Sequence, residues 1–224
     1  MIEDDIKAGA DRAGGVPVRF DHPSGFLSGS RRAPAVQHLQ TYFDSYTGSW
    51  FERLADPNPN RITANDFAAV SMLGVNIPAN TAIWLLNDGA TEAGRLLETV
   101  PSDLAIWDAS ADLSADGEMW KLWDHVRGGG WPQHVGGMGT TKTSKLLAIK
   151  RPHLVPIHDS LVEAALFDTP PANYWEPWQS WFVGAAGQEL SDLARDVRDE
   201  ARVGADLSVL RILDIVIWMA QKLG

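Results

Sequence analysis

From Ala35 onward, apolar residues recur every three or four positions along most of the chain, a period that predicts helices and not strands. Val36, Leu39, Tyr42, Phe43 and Tyr46 define a first helix, which Phe51 and Leu54 extend up to the breaker "ADPNPN". Thr63 opens a second. Asp66 three residues later suits a reciprocal cap with an acidic first turn, and Gly74 and Pro78 close the helix. "NTAIWLLND" reads as a short buried helix and "ATEAGRLLETV" as another, stopped by Pro101. "EMWKLWDHV" is amphipathic, with Met119, Trp120, Trp123 and Val126 apolar. "SLVEAAL" is helical from Asp159 onward, "TPPANYWEPW" is a rigid connector, and two helices follow in "WQSWFVGAAG" and "QELSDLARDVRDEARVG". "LSVLRILDIVIWMAQKL" is apolar almost all round, as a central helix must be. No stretch alternates convincingly as a strand, and "LVPI" is merely extended.

Residues 1–33 lack this period and hold "AGG", "HPSG" and "SGSRR", so they read as a loosely ordered arm ahead of a single helical domain over 34–224. At 224 residues the chain can bury an ample core. Ten tryptophans against three tyrosines is a high ratio; they serve either as core and interface anchors or as walls of an aromatic pocket. With no cysteine, disulfides, thiolate zinc sites, cysteine-ligated clusters and cysteine nucleophiles are excluded. No apolar run spans a bilayer, since Arg211 and Asp214 interrupt the last helix, and no membrane partner is expected. A cytoplasmic location fits this pattern. Asp103, Asp108, Asp112 and Asp116 match no calcium-loop register, so they read as caps and solvated loop acids, and no metal site is expected.

The net charge of −10 opposes general affinity for phosphate. Residues 121–160 run against it: six cations face only Asp124 and Asp159. Within them, "VGGMG" at 135–139 forms a glycine turn ahead of a helix. Gly137 and Gly139 permit close backbone approach, and the helix start at Thr140 leaves N–H groups that suit a phosphate. Lys142 and Lys145 follow within two turns. The run is either an anion-binding face or a solvated helix face.

Helix, glycine hairpin, helix, proline link and aspartate in this order resemble the helix-hairpin-helix DNA glycosylases (HhH-GPD). That family's hairpin reads apolar-Pro-Gly-apolar-Gly, and its catalytic aspartate lies twenty positions after the second glycine. Gly139 plus twenty is Asp159. The likeness covers residues 118–166. Gly136 stands where the family has proline. Thr141 stands where its lyase members carry lysine, so the resemblance implies a monofunctional enzyme. The segment "SKLLAIKRPHLVPIHDS" is also similar to one in an uncharacterised actinobacterial family.

The resemblance implies an all-α, two-lobed fold and a DNA N-glycosylase-like activity without a cofactor. In it, Asp159 stabilises positive charge on the sugar and orients water, and a base leaves its stack for a pocket. Trp131, Tyr42, Tyr46 and Trp50 are pocket candidates, each with core packing as the rival role. His158 is a candidate proton-transfer partner. Gly137, Gly139, Thr140, Lys142 and Lys145 would hold nucleic acid. The competing role for Asp159 is a plain helix cap. The competing functions are a non-catalytic nucleic-acid-binding module and an acidic protein-interaction domain.

Overall fold

The computed structural model describes residues 19–129, 131–132, 135–204 and 206–223. Among them are eleven α-helices and no strand, so the fold is all-α. They are α1 (Arg32–Ser45), α2 (Phe51–Leu54), α3 (Ala64–Met72), α4 (Ala79–Leu86), α5 (Ala90–Thr99), α6 (Glu118–Arg127), α7 (Thr140–Lys150), α8 (Ser160–Leu166), α9 (Trp175–Trp181), α10 (Gly184–Ala201) and α11 (Val209–Leu223). Residues 1–18, most of the expected arm, lie outside the described residues. The rest of that stretch forms two 3₁₀ turns, Pro23–Phe26 and Gly29–Arg31, and buries Phe26 and Leu27 in the core.

Local chemistry accounts for several boundaries. The expected long first helix is broken at Tyr46, whose extended backbone separates α1 from a 3₁₀ turn at Thr47–Trp50. Thr63 and Asp66 form the reciprocal cap that starts α3, with the Thr63 N–H donating to Asp66 Oδ2 at 2.7 Å. Gly74, at φ +75, follows that helix as only glycine does cheaply. Two expectations fail on neighbours and not on propensity. In α4 only Thr81 and Leu85 are buried, while Ile83 and Leu86 face outward. The connector "TPPANYWEPW" turns helical at Trp175, because Trp175 buries against Trp120 and Trp123 of α6 while Trp178 buries beside Tyr174 and Trp181.

α11 is the centre of one set of contacts, packing on α1, α8 and α10. The other set joins α5 to α6, α6 to α7, and α7 to α3. α3 is tied to α7 by a buried ion pair, Lys150 Nζ to Asp66 Oδ1 at 2.8 Å, with both side chains withdrawn from solvent. Lys150 also donates to the Asp56 and Asn58 carbonyls. Arg151, fully buried, donates to the carbonyls of Val100, Leu97 and Pro59 and to Asn60 Oδ1. The proline-rich loop 56–60 and the end of α5 therefore close over the C-terminus of α7.

A buried charge that loses its partner costs about 3–5 kcal/mol. Asp66→Ala should lower the unfolding free energy by about that amount in urea titrations. Asp66→Ala combined with Lys150→Met should recover part of the loss, because no unpaired charge remains inside.

Candidate active site

The last turn of α1, the Thr47–Gly48 turn, the end of α3, α7, the 157–159 segment and α11 enclose a cavity of about 220 Å³. Its walls divide into an aromatic side and a charged side. Tyr42 and Tyr46 stack with centroids 5.7 Å apart and planes 5° apart, and Trp218 stands edge-on to Tyr46 at 5.5 Å. Gly48 admits this arrangement, since a Cβ there would overlap the Tyr42 hydroxyl.

Asp159 lies on the charged side. It is the N-cap of α8: Oδ1 accepts from the Leu161 N–H at 3.0 Å. Its other oxygen is 3.5 Å from Lys145 Nζ. The cap role and the cavity position are therefore held by the same carboxylate, one oxygen each. Lys145 is buried and donates to the Leu73 carbonyl at 3.1 Å. It follows Thr141 by four residues on α7, so the two share a helix face.

Arg211 and Asp214, read from the sequence only as interruptions of an apolar helix, also line the cavity. Arg211 Nη1 donates to Asp214 Oδ2, Nε to Glu52 at 2.7 Å and Nη2 to the Tyr42 hydroxyl at 2.7 Å. Burial opposes the Arg211 charge, yet Glu52, Tyr42 and Asp214 around it drive its pKa above the ordinary value. Burial pushes the Asp214 carboxyl up to about 6, against the pull of Arg211. Burial likewise raises the Tyr42 phenol. A charged residue inside an otherwise apolar helix must find a partner inside, so the three-residue spacing of Arg211 and Asp214 is the sequence signal from which this pair could be found.

The structure separates the other sequence candidates from this cavity. His158 turns away, with Nε2 2.7 Å from Glu163 and its ring on Tyr174. Trp131 packs on Trp84 at 4.7 Å. Trp50 is half exposed, under the Arg53 guanidinium. Neither tryptophan is in the cavity wall.

The glycine turn behaves differently from expectation as well. Gly137, at φ +81, is the strained position, and a Cβ there would meet Pro78 at 2.9 Å. Gly139 has an ordinary backbone and open space around it, and caps α7 just before Thr140. The Thr81 hydroxyl donates to the Gly136 carbonyl at 2.6 Å, and Lys142 Nζ to the Gly137 carbonyl at 3.1 Å. Lys145 is not beside Lys142 on a solvent face. Its burial removes it from any phosphate contact at the hairpin. With Lys150 and Arg151 also internal, half of the six cations in 121–160 point inward. Among the described residues no three His, Asp or Glu side chains are placed to hold a metal. No described helix is long and apolar enough to cross a membrane.

The raised carboxyl gives a signed prediction. Its folded pKa of about 6 exceeds the unfolded value of about 3.9, so its contribution is complete below pH 4 and is lost as pH rises through 6. The stability of wild type relative to Asp214→Asn should therefore be greatest near pH 4 and shrink by pH 7 in urea titrations. An advantage that grows with pH would mean that Arg211 holds Asp214 ionised.

No curated protein and no solved structure matches this chain at significance. A family model does, over residues 35–221, which takes in every residue that lines the cavity. The chain belongs to that family, a family of unknown function designated DUF6308.

Proposed function

We propose that the cavity is the active site of a DNA N-glycosylase-like hydrolase and that Asp159 is its catalytic carboxylate. One observation carries this reading. The aspartate in glycosylase register with Gly139 stands in the cavity wall, with one oxygen fixed by the α8 backbone and the other facing Lys145. Rupture of a base–sugar bond builds positive charge on the sugar. A carboxylate oriented before the reaction stabilises that charge without reorganisation and can position the attacking water. Lys145, 3.5 Å from Oδ2, restrains the rotation of the Asp159 carboxylate. Tyr46 and Trp218 offer flat faces against which a ring extruded from its stack can rest. The two contact sets, α11 with α1, α8 and α10, and α3 through α7, would then be the two lobes of a glycosylase, with the cavity between them.

The non-catalytic binding module draws less support. Its hairpin cations are one lysine bonded to the turn itself and one buried lysine. The nucleic acid would instead be held largely through the base that enters the cavity, with the hairpin N–H groups at Thr140 meeting the backbone.

A base-release screen over damaged and modified oligonucleotides and free nucleosides tests the proposal. Wild type should release at least one base. Asp159→Asn should slow single-turnover release by about 100-fold or more, the scale of losing one preorganised electrostatic group, while circular dichroism stays unchanged. Equal rates for the two proteins would reduce Asp159 to a helix cap.

A further inference from the structure

We propose that Asp214 is the second catalytic group of this cavity, the acid that protonates the departing base while Asp159 stabilises the sugar. The assignment rests on the N-glycosyl hydrolase reading above.

The geometry divides the labour between the two carboxyls. Asp159 has both oxygens engaged, by the Leu161 N–H and by Lys145. Asp214 is fixed through Oδ2 by Arg211. Among the described residues Oδ1 takes no hydrogen bond, and Asp214 is part of the cavity wall. One oxygen is thus anchored and the other available.

Charge counting points the same way. Lys145 and Asp159 balance each other. Arg211 faces both Glu52 and Asp214, so with every group ionised this set holds one excess negative charge. A proton on Asp214 removes the excess. Glu52 is the more exposed of the two acids and keeps its charge in solvent more easily. The groups around Asp214 come from every side: Arg211 on its own helix, Tyr42 on α1, Lys145 on α7, Asp159 at the start of α8 and Tyr174 ahead of α9, with Glu52 on α2 reaching it through Arg211. Only Arg211 and Lys145 are cations. Burial outweighs them and lifts the Asp214 carboxyl to about 6. A carboxyl raised by burial, in the same cavity wall as a second carboxyl, is the arrangement of paired acid and base at glycosyl bonds.

The step balances. The C1′–N bond breaks and its electron pair leaves with the base. The Asp214 proton passes to a base nitrogen, and the resulting carboxylate is held by Arg211. Water adds to C1′ and gives its proton to Asp159. Products are the free base and the sugar hydroxyl, and Asp214 regains a proton from solvent as Asp159 loses one.

The test uses two leaving groups of nearly equal shape, guanine and 7-methylguanine. Each is supplied as a 2′-deoxynucleoside and within a single-stranded oligonucleotide. 7-Methylguanine already carries positive charge and needs no acid to leave. In Asp214→Asn, guanine release should fall by about 100-fold or more while 7-methylguanine release changes little. Asp159→Asn should lose both. Wild type alone supplies a reading that no folding defect can obscure: guanine release should decline as pH rises through 6, and 7-methylguanine release should not. Equal loss of both bases in Asp214→Asn, or no loss of either, overturns the acid while leaving Asp159 in place. If wild type releases neither base, the acid assignment falls. If the wider base-release screen is also blank, the active-site reading falls with it.

Discussion

The buried Lys150–Asp66 ion pair is the contact on which the rest of the arrangement depends. Asp66 is already committed to the cap that begins α3, so the pair joins the start of α3 to the end of α7 through one carboxylate. Arg151, next in sequence, gathers carbonyls from the ends of two other segments. With its C-terminus held in this way, α7 cannot rotate, and Lys145 is directed past Leu73 toward Asp159. Such interior charge is weak evidence for high stability but fixes geometry, because each cation has only one set of partners that satisfies it.

That constraint explains why an acidic chain concentrates cations in 136–160. They are structural donors and cavity groups more than a surface patch. The cations on the outside are largely paired with acids of the same chain, as in Arg19 with Asp168, Arg61 with Asp56 and Lys121 with Glu118. The cavity itself is assembled from four helices distant in sequence and two connecting segments, and Arg211 links its aromatic and charged sides by bonding Tyr42 and Asp214 together.

How far the sequence discloses this depends on the range of each interaction. The α3 cap is local, three residues across, and is legible as Thr63 and Asp66. The Asp159 cap is equally local and is legible as the aspartate ahead of "SLVEAAL". The direction of Lys145 is not legible. It lies one turn from Lys142 on nearly the same face, and the carbonyl of Leu73, at the end of α3, takes Lys145 inward while Lys142 turns back to Gly137. Trp131, Trp50, Tyr42 and Tyr46 are chemically alike as pocket candidates. The turn at Tyr46 and the small Gly48 select the two tyrosines, through contacts that no periodicity encodes. Arg211 and Asp214 stood in plain view within an apolar helix, where burial makes a pair obligatory.

Under the proposed function, the Asp159 carboxylate oriented by Lys145 and α8 meets positive charge in this cavity. Titration calorimetry with a cationic pyrrolidine analogue of the sugar and its neutral tetrahydrofuran counterpart, both carrying the same ring, measures that most directly. Wild type should prefer the cationic compound by about 100-fold or more, as enzymes prefer transition-state mimics, and Asp159→Asn should lose the preference. Equal affinity of wild type for the two compounds, or a preference that survives in Asp159→Asn, would contradict it.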